Sequence, residues 1–136
     1  MAGHNRPPVD FKETGIAGVL KEFRLRVPPN QREYSWTQKY VLRLLQDLSK
    51  AIGDEQPEYF LGTLVTIPRS QDVLEVVDGQ QRLATTAILL CEIRNYLRGK
   101  EPLLVERINN VFLTEIDPDK RERVTKLELN LDDNEF

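Results

Sequence analysis

The sequence predicts an α/β (α+β) domain in which helices pack on a small mixed sheet, and three observations carry that expectation. Val73 to Val77 is a β-branched, mostly apolar run of strand length. Asp78-Gly79 then signals a sharp turn. Beyond it Leu83, Ala87, Leu90, Cys91, Arg94 and Leu97 recur at helical spacing, with Gly99 as a C-cap candidate. A strand therefore passes through a one-glycine turn into a helix, with Asp78, Gln80, Gln81 and Arg82 crowded at the junction.

The remaining elements follow in chain order. Met1 to Val9, with Pro7-Pro8, is expected to be a loose leader. Thr14 to Leu20 suits a short helix with Ile16, Val19 and Leu20 on one side. Glu22 to Val27 alternates charged and apolar residues as a half-buried strand does, and Pro28-Pro29 stops it. A polar and aromatic loop, Asn30 to Thr37, leads to a second helix. Its N-cap is Ser35 or Thr37, its apolar stripe is Val41, Leu44, Leu45, Leu48 and Ile52, and Gly53 ends it. Tyr59 to Ile67 reads as a strand buried on both faces, and Gly62 within it marks a bulge or a group approaching the backbone. Leu103, Leu104, Ile108, Val111 and Phe112 predict a further helix, broken at Asp117-Pro118-Asp119, and Lys126 to Leu131 alternates as a last strand.

Length and composition narrow the function classes. One domain is expected from 136 residues, and 30% charged with 40% hydrophobic residues is an ordinary globular balance. No apolar run approaches the ~20 residues of a membrane span, and no signal-peptide core is present. A single Cys and a single His exclude an internal disulfide and a Cys/His zinc site, so a cytoplasmic, reduced setting is expected. Net charge is −3, which argues against a general polyanion binder. Residues 21–50 nonetheless hold seven Lys/Arg against three acids, whereas residues 101–136 hold ten acids against five bases. With His4 as the only histidine there is no Ser/His/Asp set, and neither a Walker-type loop nor GxGxxG occurs.

The Asp78–Arg82 turn supports two readings. A helix N-terminus offers unpaired N–H groups and the positive end of the dipole, Gly79 permits close approach to the backbone, and Arg82 brings a fork of donors suited to phosphate. Alternatively Asp78 caps the helix and Arg82 is a solvated face residue. The Asn30–Thr37 loop divides similarly: Tyr34 and Trp36 either serve a site or pack, and Arg32 either meets a ligand or pairs with Glu33.

Four ordered blocks add a resemblance. Val27-Pro28-Pro29-Asn30-Gln31-Arg32-Glu33-Tyr34-Ser35-Trp36 resembles "VPxxQRxYSW", Tyr59 to Val65 resembles "YFLGxIV", and Val76 to Leu83 resembles "VVDGQQRL". With Leu127 to Phe136 they resemble the N-terminal domain of GmrSD-type, modification-dependent restriction endonucleases, which is related to the ParB and sulfiredoxin-like fold. The resemblance implies nucleoside triphosphate binding and hydrolysis at the DGQQR turn, coupled to restriction of foreign DNA in phage defence by a separate C-terminal HNH nuclease module. It implies catalytic roles for Asp78, Gln80, Gln81 and Arg82, with Asp78 on Mg²⁺ or water and the glutamines on water or phosphate oxygens. Nucleotide-binding roles fall to Gln31, Arg32, Tyr34, Trp36, Gly79 and Thr85. Two departures stand out. The family usually reads Leu-Thr-Thr after the motif where this chain has Leu83-Ala84-Thr85, and no HNH module is present, so no DNA cleavage is expected of this chain alone. The competing expectation is a non-catalytic DNA-binding or assembly domain of the same system, its basic 21–50 segment on the DNA backbone.

Overall fold

The computed structural model describes residues 11–28, 35–70 and 72–129. Its centre is a four-stranded mixed sheet in the order β2-β3-β1-β6, with β1 at Arg24–Arg26, β2 at Val65–Pro68, β3 at Val73–Asp78 and β6 at Leu127–Glu128. Strand β1 runs parallel to both β3 and β6, and β2 is antiparallel to β3. The α/β expectation therefore holds.

Register decides what faces the core. Leu25 stands opposite Leu74 and Leu127, so these three share a face. Strand alternation adds Val27, Val76 and Leu129 to it. Helix α1 (Ile16–Glu22) contributes Leu20, and helix α3 (Gln80–Leu97) contributes Leu83 and Ala84; together these residues form the buried core. Arg24 and Arg26 project from the opposite face by the same alternation. There Arg24 pairs with Glu115 at 2.9 Å and Asp117 at 3.1 Å, both on a hairpin of β4 (Thr114–Asp117) and β5 (Glu122–Thr125).

Three segments depart from the sequence expectation. The strand predicted over 59–67 is confined to β2, and it is an edge strand with Val65 and Ile67 exposed rather than one buried on both faces. Gly62 interrupts the run, its φ of +130° lying outside the strand region. The stripe of α2 (Gln38–Gly53) is only partly covered, for Leu44 is buried while Leu45 and Ile52 are exposed. Finally, Asp117-Pro118-Asp119 ends no helix. The predicted helix is α4 (Pro102–Ile108) continued by one π turn (Asn109–Leu113), and Asp117 opens the β4–β5 turn. Lys126, read only as the start of a strand, is buried, and its Nζ donates to the carbonyls of Leu20 at 2.5 Å and Val111 at 3.2 Å. Burial pushes its pKa down.

Asp117 is a buried carboxylate with a clear account. Its Oδ1 accepts the N–H groups of Lys120 and Asp119, and its Oδ2 accepts from Arg24. The Lys120 amide first, then that of Asp119 and the Arg24 charge, hold its pKa below the ordinary carboxylate value against the opposing effect of burial. A depressed pKa gives stability that is fully present above the unfolded value near 3.9 and lost as pH falls through the folded one. Urea midpoints should therefore separate wild type from Asp117→Asn most at neutral pH and converge as pH falls through the depressed pKa of the folded carboxyl. A gap that persists unchanged in acid would assign the effect to shape rather than charge.

Candidate functional site

Asp78 ends the interior strand β3, and Gly79 turns the chain into α3 with φ +90°. This left-handed N-cap is open to glycine and costly to other residues. A Cβ on Gly79 would stand 2.9 Å from the Thr63 carbonyl oxygen, so the close approach it permits is occupied by the 63–64 backbone. Asp78 is exposed and its Oδ1 accepts the Gly79 N–H at 2.9 Å. The N-cap residue itself, being glycine, supplies no side-chain acceptor to the first turn of α3.

Arg82 is the half-buried cation of that turn. Its guanidinium rests on Gly62, where a Cβ would fall 1.7 Å from Nη1 and 2.7 Å from Cζ. The bulge-or-approach expectation for Gly62 is thus met by Arg82. On another side Cζ lies 6.0 Å from the centroid of the Trp36 ring, the outer limit of a cation–π contact. Among the described residues no carboxylate forms an ion pair with Arg82; the pairs are Lys12–Glu22, Arg24–Glu115, Arg24–Asp117 and Arg69–Glu75.

The glutamines differ. Gln81 Oε1 accepts from the backbone N–H of Ser35 at 2.7 Å and of Trp36 at 3.2 Å, joining the turn to the loop before α2. Gln80 turns back to its strand, Nε2 donating to the Val76 carbonyl at 3.5 Å. Thr85 lies in the core and its hydroxyl donates to the Gln81 carbonyl at 2.8 Å. Trp36 is half-buried and packs against Tyr40 with centroids 5.9 Å apart. The structure thus brings Asp78, Gly79, Gln80, Gln81, Arg82 and Trp36 to one corner and puts Thr85 beneath it. Gln31, Arg32 and Tyr34 lie outside the described residues.

The exposed face of α2 borders this corner. The Tyr59 hydroxyl meets Asp47 Oδ2 at 3.5 Å. Burial and then Asp47 push the Tyr59 pKa up, while Arg82 and Arg43 pull it down, so both cations lie within electrostatic reach of that ring. Only the YFLG block hinted at Tyr59, because the pairing joins residues twelve apart across a loop.

These parts set a guanidinium that no described carboxylate pairs at a helix N-terminus, with an aromatic pair at its side and an exposed carboxylate in the adjoining turn, a combination of donors suited to an anion. Gly62 is its seat. Gly62→Ala should drive the guanidinium off its position although Arg82 is intact, weakening any phosphate ligand. It should also cost the fold about 1–3 kcal/mol for a backbone that L side chains rarely adopt. Calorimetric titration with unchanged affinity would show that Arg82 does not need this seat.

Among the described residues no group of three or more His, Cys, Asp or Glu is arranged to hold a metal, and no helix is long and apolar enough to cross a membrane. Comparison with curated proteins finds no match. The profile described as GmrSD restriction endonuclease, N-terminal domain, matches residues 16–136.

Proposed function

The chain belongs to the family of GmrSD restriction endonuclease N-terminal domains, and from that premise we propose that it binds and hydrolyses a nucleoside triphosphate at the Asp78–Arg82 turn. It is a domain of a restriction endonuclease system. Its proposed partners are DNA and an HNH nuclease module, whose cleavage the hydrolysis would regulate.

The observation that carries the reading is Arg82, a half-buried guanidinium with no acid pairing it among the described residues, held on Gly62 at the start of a helix. A cation kept unneutralised in such a place favours a ligand that brings its own negative charge. Arg82 and the first-turn amides of α3 would hold phosphate oxygens, and Trp36 would stack on the base. Gln80, beside Asp78, would orient the attacking water. One exposed carboxylate suits Mg²⁺, which is commonly held by one or two carboxylates together with substrate phosphates. Asp78 would supply that ligand, and the ion would neutralise charge on the phosphates.

The DNA-binding alternative is weakened by the fate of the basic segment. Arg24 is paired with Glu115 and Asp117, so one of the seven positive charges over 21–50 is neutralised by the β4–β5 hairpin.

A thermal-shift screen of the four nucleoside triphosphates with Mg²⁺ tests the proposal. A ligand at 100 times its Kd should add about 2.7 kcal/mol and raise Tm by roughly 5–11 °C. No shift with any of the four at millimolar concentration would remove the turn as a nucleotide site.

A further inference from the structure

We propose that Gln81 is the specificity-determining residue of this site, a latch that fixes the Trp36–Tyr40 pair beside Arg82 and so makes the site prefer a nucleoside triphosphate to an inorganic polyphosphate. The inference rests on the nucleotide reading above and deepens it by assigning Gln81 away from phosphate and water.

The geometry is specific. Ser35 and Trp36 both present backbone N–H groups to the Gln81 side chain, at 2.7 and 3.2 Å. Two donors require an acceptor, so the amide orientation is dictated by its partners, and Oε1 is committed to the loop. These two amides immediately precede Thr37, the N-cap of α2, which forms no side-chain cap of its own. The first turn of α2 then brings Tyr40, its N–H donating to the Thr37 carbonyl at 3.0 Å, against the Trp36 ring. One side chain in the first turn of α3 thus anchors the backbone that carries the aromatic pair.

Arg82 depends on a different support. Its guanidinium sits on Gly62, on the segment that leads into β2. Removing the Gln81 acceptor therefore leaves the phosphate-binding charge in place and releases the base-binding wall. Phosphate affinity and base affinity come apart at this residue, which a direct phosphate ligand or a merely stabilising residue would not achieve.

The test uses Gln81→Met, close in shape but without an acceptor, and Gln81→Glu, which keeps the acceptor oxygens. ATP, GTP, CTP and UTP are each compared with inorganic tripolyphosphate by calorimetry, and Trp36, the only tryptophan, reports its own surroundings by fluorescence. Gln81→Met should shift the ligand-free emission to the red, leave tripolyphosphate binding nearly unchanged, and weaken the best-bound nucleotide by roughly 5- to 150-fold, the range of one base–aromatic stack. Gln81→Glu should hold the emission at its wild-type position. The proposal is overturned if Gln81→Met leaves the emission in place, or weakens tripolyphosphate as much as nucleotide. Should wild type bind neither ligand, the nucleotide reading fails by itself. Emission then decides the latch: a red shift in Gln81→Met that Gln81→Glu does not share upholds it, and an unmoved spectrum sinks it.

Discussion

Arg82→Ala should weaken nucleoside triphosphate binding by roughly 10- to 150-fold, the worth of one charge-assisted contact of about 1.5–3 kcal/mol. The expected loss is large because no described carboxylate pairs with Arg82, so in the free protein no ion pair is broken to release it. Tm without ligand should move little for the same reason. Asp78→Asn is the matched comparison. Asp78 is exposed and accepts the Gly79 N–H, which an asparagine oxygen also accepts, so turn and fold should survive. Binding should fall less than in Arg82→Ala, and any hydrolysis should fall much further, because the lost charge is the proposed metal ligand. If Arg82→Ala binds normally while Asp78→Asn unfolds, the turn is a structural cap and the functional proposal is lost.

Leu25→Ala should be the most destabilising single truncation, costing about 2–5 kcal/mol, a large part of the 5–15 kcal/mol typical of a domain. Leu25 is fully buried on β1, with β3 on one side and β6 on the other. Shortening it opens a cavity that the two flanking strands, fixed by their ladders, cannot close. Ile52→Ala on α2 provides the contrast. Its side chain is 76% exposed, and the change should stay within about 0.5 kcal/mol despite deleting the same number of atoms. Urea unfolding of both variants checks the pair, and equal midpoints would mean that α2 covers more than it exposes.

What was legible in the sequence is what is local. The strand at 73–78, the Asp78-Gly79 turn and the helix after it follow from periodicity and one glycine, and they stand where expected. Gly62 signalled a close approach, but no pattern along the chain could say that the approaching group is Arg82. The edge position of β2 escaped because an apolar, β-branched run looks alike at the centre and at the rim of a sheet. The β4–β5 hairpin escaped for another reason. Asp-Pro-Asp looks in sequence like a helix breaker, whereas Asp117 folds its carboxylate onto the amides of Asp119 and Lys120 and builds the turn itself. At the site, motif residues and their neighbourhood were legible, while Gln81's attachment to Ser35 and Trp36 was not, being a bond between residues 45 and 46 positions apart.

The placement of β1 also sets a timetable for the nascent chain. Its two partners are residues 73–75 and 127–128, both in parallel register, so neither can be supplied by a hairpin. At about 5–20 residues per second, synthesis leaves β1 without its second neighbour for roughly 5–20 s after it leaves the ribosome. Throughout that interval Leu25 belongs to a strand with an open edge, the condition under which chaperones bind and chains associate wrongly. The sheet can close only when Leu127 arrives, and folding of this domain is accordingly expected to be slow and late rather than progressive.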